Sequence, residues 1–200
     1  MKLYYSPGTC SLASSIALHE AGLPFELVLV DLKTHKTKAG EDMYAINSKG
    51  YVPILELDNG ERLTEGAVIL QYIADQVPGK RLMPEAGSMP RYRAMEWLNY
   101  IGTEVHKSYS PLFNASMPAE AKQFAIDKLS VRFKWVDAQL AGKQYLMGDA
   151  FCVADAYLFT VTRWAPGLNV PLDHFSNLNE YIDRVKARPA VQEALKAEKR

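Results

Sequence analysis

The 200-residue chain has little of what marks several large classes of protein. It contains two cysteines, Cys10 and Cys152, far apart, and no Cys-x-x-Cys pair, because Ala13 stands three residues after Cys10. No disulfide framework is expected, and a reducing, cytoplasmic setting suits the chain. No apolar run approaches the roughly 18 residues that a membrane-spanning helix needs. The opening Met1-Lys2-Leu3-Tyr4-Tyr5 meets Pro7 and Gly8 before a signal-peptide core forms. Charge of one sign is missing as well: 23 basic residues face 23 acidic ones, which makes no electrostatic case for nucleic acid or an anionic membrane. Repeats at solenoid spacing and low-complexity tracts are absent. What is present is 48% hydrophobic residues, enough for one large core or two modest ones, and the expected ligand is small or a protein.

The pattern along the chain splits in two. Lys2 to Tyr5 reads as a strand, Ser11 to Ala21 as a helix burying Leu12, Ala13, Ile16 and Ala17 and ended by Gly22, and Phe25 to Val30 as a strand parallel to the first. A weaker helical or irregular stretch runs from Gly40 to Asn47. Ile54 to Leu57 and Glu61 to Thr64 flank Asp58-Asn59-Gly60, a hairpin signal. Thr64 is expected to cap a helix from Glu65 to about Gln76, with Ala67, Val68, Ile69, Tyr72 and Ile73 on or beside its buried face. Breakers at Pro78, Gly79, Pro84, Gly87 and Pro90 form a bridge. Beyond it everything reads as helix: Arg91 to about Ser110, Pro118 to Leu140, Val153 to Trp164, Leu178 to Ala187 and Ala190 to Ala197. The expected organisation is an α/β domain over 1–80, a linker over 81–87 and an all-α domain over 88–200.

Three features of the first part carry candidate chemistry. Cys10 follows the turn Ser6-Pro7-Gly8-Thr9 at a helix start, where unpaired N–H groups and the helix dipole stabilise a thiolate. The competing reading is a buried small hydrophobe. Val52-Pro53 stands at a strand entrance, where proline marks an edge, a turn or a cis bond, and an exposed Val52 backbone would pair with a peptide-like ligand. An ordinary strand-start proline is the alternative. At Thr64-Glu65-Gly66 the helix-start N–H groups suit a carboxylate and Glu65 an ammonium, the two ends of an α-amino acid group. A glutamate in a first turn also simply complements the dipole.

In this order the features resemble the thioredoxin-like domain of a glutathione S-transferase. Tyr4-Tyr5-Ser6-Pro7-Gly8-Thr9-Cys10-Ser11-Leu12-Ala13, with cysteine in place of a catalytic tyrosine or serine, resembles the bacterial beta class. The likeness continues through Gly50-Tyr51-Val52-Pro53, Leu63-Thr64-Glu65-Gly66-Ala67, Trp97-Leu98-Asn99-Tyr100, Glu104-Val105-His106-Lys107, Gly148-Asp149 and Ala154-Asp155-Ala156-Tyr157-Leu158-Phe159. It implies an α/β thioredoxin-like N-terminal domain plus an all-α C-terminal domain, a homodimer, and glutathione as co-substrate with no metal. By the same resemblance glutathione lies extended with its sulfur near Cys10, its cysteinyl peptide paired to Val52 ahead of a cis Pro53, and its γ-glutamyl group on Glu65 and the Gly66 N–H. Tyr5 and Ser11 are further contacts. Family members carry a lysine near position 35 for the glycine carboxylate; this chain has His35 there, with Lys33 and Lys36 nearby.

On the long helix Asn99, Thr103, His106 and Ser110 fall at i, i+4, i+7 and i+11, a polar stripe all on one face, while Leu98, Ile101 and Val105 lie elsewhere. A lone helical histidine is otherwise a surface or satisfied residue. The resemblance makes His106 catalytic beside Cys10, with Lys107, Asn99 and Thr103 as glutathione contacts; a positive charge or an N–H donor there would stabilise a thiolate. Tyr109, Phe113 and Trp164 are expected to line the substrate pocket. Asp155 resembles the acid of the family's folding box, whose cap position here holds Cys152, a poor acceptor. Half of the box is therefore expected to be lost or taken over by Asp149 or a backbone group, with Asp155 structural and Cys152 buried and unreactive. The implied function is glutathione transfer to small hydrophobic electrophiles in detoxification. The alternatives are thiol–disulfide exchange or reductive dehalogenation through a Cys10 mixed disulfide, resolved by a second glutathione, and a non-catalytic ligand-binding protein.

Overall fold

Strand β1 (Lys2–Tyr5) buries Leu3, Tyr4 and Tyr5 at the centre of a five-stranded sheet. Helix α1 (Ser11–Ala21) follows and stops where Gly22 turns left-handed at φ +67°, a conformation that costs glycine nothing. The chain returns as β2 (Glu26–Asp31), parallel to β1. A two-residue strand, β3 (Lys36–Thr37), pairs antiparallel with the end of β2 and had no counterpart in the sequence reading. Asp42 caps the short α2 (Met43–Ile46) by accepting from the Tyr44 N–H at 3.0 Å. Strands β4 (Ile54–Glu56) and β5 (Arg62–Leu63) form the expected hairpin, with Gly60 at φ +86°. Helix α3 (Gly66–Asp75) buries Ile69, Leu70, Ile73 and Ala74 and leaves Val68 exposed, so its inner face is rotated from the expected one. Thr64 is not its cap. Glu65 takes that position, and no side chain there bonds the first turn.

The mixed sheet has the order β3-β2-β1-β4-β5, with β4 antiparallel to β1. In the computed structural model, which describes residues 1–199, the first unit comprises Met1–Leu82 together with the chain from Arg188 onward. The second unit is Met83–Ala187. Among the described residues no helix is long and apolar enough to cross a membrane.

The second unit begins its helices with α4 (Met89–Tyr100), where Ser88 Oγ accepts from the Arg91 N–H at 3.3 Å. The expected single helix to Ser110 then changes pitch. Ile101–Val105 is a π turn, His106–Tyr109 a 3-10 turn, and α5 (Ser110–Phe113) restarts the helix with Pro111 in its first turn. Next come α6 (Ala119–Leu140), the wholly buried α7 (Val153–Thr162) and α8 (Ser176–Lys186). The final helix, α9 (Pro189–Ala197), belongs to the first unit and packs on α1 with Val191 and Ala194 buried. Arg188 bonds Glu20 of α1 through Nε at 2.5 Å and Nη2 at 2.9 Å. The second unit therefore ends at Ala187, short of the expected domain of 88–200.

Asp155 anchors α7. Fully buried, it accepts from the N–H of Leu146 (2.9 Å) and of Cys152 (2.8 Å) and from the Tyr181 hydroxyl (3.1 Å). Burial pushes its pKa up to about 6 in spite of those donors. The capping box is complete: the Cys152 sulfur faces the Asp155 N–H while Asp155 serves the Cys152 N–H. The expected loss of half the box, or its transfer to Asp149, does not occur. Burial, reinforced by the adjacent carboxylate, raises the Cys152 thiol pKa well above its ordinary value.

Candidate active site

Cys10 stands immediately before α1 with helical backbone angles (φ −63°, ψ −15°), and its side chain makes no cap bond to the helix. The partly exposed thiol instead donates to the Val52 carbonyl, Sγ to O 3.5 Å. The turn before it is tied by hydroxyls. Thr9 Oγ1 donates to Ser6 O at 2.8 Å, Ser11 Oγ donates to the same carbonyl at 3.2 Å, and the two hydroxyls lie 2.8 Å apart. Ser11 is completely buried. Expected as a ligand contact, it holds the turn that carries Cys10.

The peptide between Val52 and Pro53 is cis. Val52 is nearly buried, and its N–H has no acceptor among the described residues. An unpaired donor of this kind, beside a carbonyl that among the described residues accepts only from the Cys10 thiol, is a short free strand edge. The loop before it is closely set. Asn47 Nδ2 donates to Tyr51 O at 3.0 Å and Asn47 Oδ1 accepts from the Lys49 N–H at 3.2 Å. Gly50, at φ +67°, passes so near the Tyr44 ring that a Cβ would lie 2.7 Å from Cε1.

Glu65 holds a left-handed backbone (φ +66°, ψ 110°), which costs a non-glycine residue about 1–3 kcal/mol. Its carbonyl accepts from the N–H of Val68 (2.9 Å) and Ile69 (3.0 Å), while the N–H groups of Gly66 and Ala67 have no acceptor among the described residues. Lys49 Nζ donates to Glu65 Oε1 at 2.5 Å and to Thr64 Oγ1 at 2.9 Å. A Cβ on Gly66 would meet Pro53 Cγ at 4.0 Å, so the start of α3 adjoins the cis proline. Cys10, Val52, Pro53, Glu65 and Gly66 are thus linked in one neighbourhood. The sequence reading missed Lys49, a lysine in a polar loop that meets Glu65 only because the β5–α3 corner folds back.

Two other expected contacts of the first unit have different neighbours. His35, itself left-handed at φ +52°, lies against Tyr44 with ring centres 4.8 Å apart and Nε2 3.4 Å from the phenol oxygen. Its Nδ1 is buried with no partner among the described residues. Tyr5 lines a cleft with Leu27, Leu29, Lys38 and Ala197; burial, then the Glu198 carboxylate, raises its phenol pKa.

In the second unit His106 is enclosed by aromatic residues. Nδ1 lies 2.7 Å from the Tyr157 hydroxyl and the ring centre 4.9 Å from that of Trp164. Burial, helped by Lys107, lowers its pKa to about 4, so at neutral pH the imidazole is uncharged. Of the expected positive charge or N–H donor, a neutral His106 ring offers the N–H donor. Tyr109 and Phe113 complete the cluster, each centred 5.3–5.4 Å from Trp164. The three expected pocket residues therefore share one wall, where the Tyr109 hydroxyl is buried without a partner among the described residues. Asn99, Thr103 and Lys107 are exposed, and Thr103 Oγ1 donates to Asn99 O at 3.0 Å. The π turn between Asn99 and His106 breaks the regular spacing on which the single polar stripe rested. No three His, Cys, Asp or Glu side chains cluster as metal ligands among the described residues.

Comparison with known proteins joins these observations. Residues 8–76 match the glutathione S-transferase N-terminal domain and residues 100–189 the glutathione S-transferase C-terminal domain. Glutathione S-transferase GstA of Escherichia coli O157:H7 is 46% identical over 198 residues, covering 99% of this chain and 98% of its own. BphK, a bacterial enzyme of this type solved as a ternary complex, superposes with a TM-score of 0.98 at 52% identity, covering all of both chains. A sphingomonad glutathione S-transferase complexed with glutathione gives 0.97 at 45% identity, covering 100% of this chain and 99% of that one. The chain belongs to the glutathione S-transferase family and is similar to its bacterial beta-class members.

Proposed function

We propose that this glutathione transferase binds glutathione along the Cys10, Val52–Pro53 and Glu65–Gly66 edge of its first unit. The observation that carries this reading is the Cys10 thiol on the Val52 carbonyl, next to an N–H that has no acceptor among the described residues. A cysteinyl peptide pairing with both Val52 groups brings its own sulfur to that end of the edge. His35 then serves the glycine carboxylate. The glutathione thiol gives its proton to solvent, the thiolate attacks an electrophilic carbon, a C–S bond forms, and the bond from that carbon to the leaving group breaks, its electron pair departing with the leaving group as an anion such as halide. Cys10 stabilises that thiolate as a neighbouring S–H donor. The aromatic wall of Tyr109, Phe113 and Trp164 receives small hydrophobic electrophiles, which makes detoxification the role. A homodimer and a cytoplasmic location complete the reading. Exposed Met89, Tyr92 and Met95 on α4 offer apolar surface to a second copy, and two free thiols suit a reducing compartment.

A specific observation also favours covalent chemistry at Cys10: the thiol is partly exposed, while Cys152 is buried and cannot resolve a mixed disulfide. A second glutathione must then do so. Cys10→Ala separates the two. Removing one S–H donor is expected to lower aryl-halide conjugation about fivefold to tenfold, on the scale of a single hydrogen bond, with retention on immobilised glutathione preserved. Reduction of glutathione mixed disulfides should disappear entirely if Cys10 is the nucleophile there. Wild-type protein that is retained on glutathione but turns over neither electrophiles nor disulfides would leave only the binding-protein alternative.

A further inference from the structure

We propose that Lys49 completes the recognition of the γ-glutamyl head group by binding its α-carboxylate; the inference rests on the glutathione edge proposed above. An ammonium has three donors. Lys49 uses one on Glu65 Oε1 and one on Thr64 Oγ1, and no further acceptor meets it among the described residues. Its two partners, Thr64 and Glu65, immediately precede the first turn of α3, where the Gly66 and Ala67 N–H groups are also without acceptors among the described residues. Three donors therefore gather where an α-carboxylate belongs. Glu65 Oε2 has no partner among the described residues and remains for the α-ammonium. The charges complement each other: a lysine and a glutamate already joined at 2.5 Å present a paired positive and negative group to a zwitterion.

The same contacts explain where Thr64 and Glu65 stand. Thr64 Oγ1 accepts from Lys49 and does not cap α3. Glu65, held in its left-handed conformation, has its carboxylate fixed by the ammonium it will share with the ligand. Lys49 in turn is placed by its N–H bond to Asn47, in the loop that leads to Val52–Pro53. One lysine so couples the head-group end of the site to its cysteinyl end.

The test is binding of three ligands to the full-length protein: glutathione, 4-aminobutyryl-cysteinylglycine, which lacks the α-carboxylate, and glutaryl-cysteinylglycine, which lacks the α-amino group. Lys49→Met should weaken glutathione about tenfold, the scale of one charge-assisted hydrogen bond, and change 4-aminobutyryl-cysteinylglycine by less than about twofold. Glutaryl-cysteinylglycine should lose as much as glutathione, and Lys49→Arg should restore most of the loss. Equal weakening of glutathione and the decarboxylated ligand would reduce Lys49 to a prop for the loop and overturn the proposal, as would no weakening at all. The parent reading fails separately: wild-type protein that binds the decarboxylated ligand as tightly as glutathione has no α-carboxylate site at α3.

Discussion

His106 gives up its charge to its surroundings. Unfolded, its imidazole takes up a proton near pH 6.5; enclosed by Tyr157 and Trp164, it does so only near 4. Between those values the unfolded chain holds more protons than the folded one, so the stability this residue contributes is lost as pH falls from about 6.5 toward 4. Asp155 acts in the opposite sense. Raised from 3.8 to about 6, it binds a proton earlier in the folded state, and stability falls as pH rises through that window. His106→Gln isolates the first effect. Wild type's advantage in urea unfolding should shrink by about 1–2 kcal/mol between pH 6.5 and 4.5; an advantage independent of pH would mean that the ring is not held neutral by burial. At this scale Cys10, Glu65 and His106 stood out as candidates from residue type and motif. The burial that neutralises His106, and the reach of Lys49 to Glu65, come from packing between segments far apart in sequence.

Elements were legible where polarity keeps a strict period and illegible where pitch changes beneath it. Leu98, Ile101, Val105 and Tyr109 are all buried, a spacing compatible with one long α-helix, yet the backbone passes through π and 3-10 turns before α5. Thr103 Oγ1 bonds Asn99 O and Ser108 Oγ bonds Glu104 O (2.6 Å), side-chain competition with the helical ladder that apolar spacing does not report. The start of α7 shows the reverse. Its Asp155 was visible from sequence, and the weak partner Cys152 still fills the box because the sulfur has no other place in a fully buried turn. Cys152→Ser should therefore raise unfolding stability by about 0.5–1 kcal/mol, oxygen being the better cap acceptor. Asp155→Asn should cost at least about 2–3 kcal/mol or prevent folding, since the amide cannot accept from three donors as the carboxylate does. Thermal and urea unfolding of the two variants check both; a serine variant less stable than wild type would show that the thiol's packing outweighs its poor hydrogen bonding.

For the whole molecule the decisive feature is the return of the chain end to its beginning. The helical pattern of residues 190–197 matched that of the preceding helices, so sequence alone grouped them together. What assigns α9 to the first unit is tertiary: Val191 and Ala194 cover α1, and Arg188 pairs with Glu20, whose side chain is 10% exposed. A partly buried carboxylate that loses its cation is left costly to solvate, so Arg188→Ala should destabilise by about 1–3 kcal/mol, and Glu20→Gln, which leaves no bare charge, by less. The consequence reaches the site. Helix α1 begins directly after Cys10, and Gly8 in the turn before it donates to Glu198 at 3.4 Å, so the C-terminal segment braces α1 at both ends. Removing residues 189–200 is then expected to weaken retention on immobilised glutathione while α4, α6 and α7 keep their helical signal. Undiminished retention by the truncated chain would mean that the Cys10 turn holds its geometry without α9, leaving Arg188 and Glu20 a matter of stability alone.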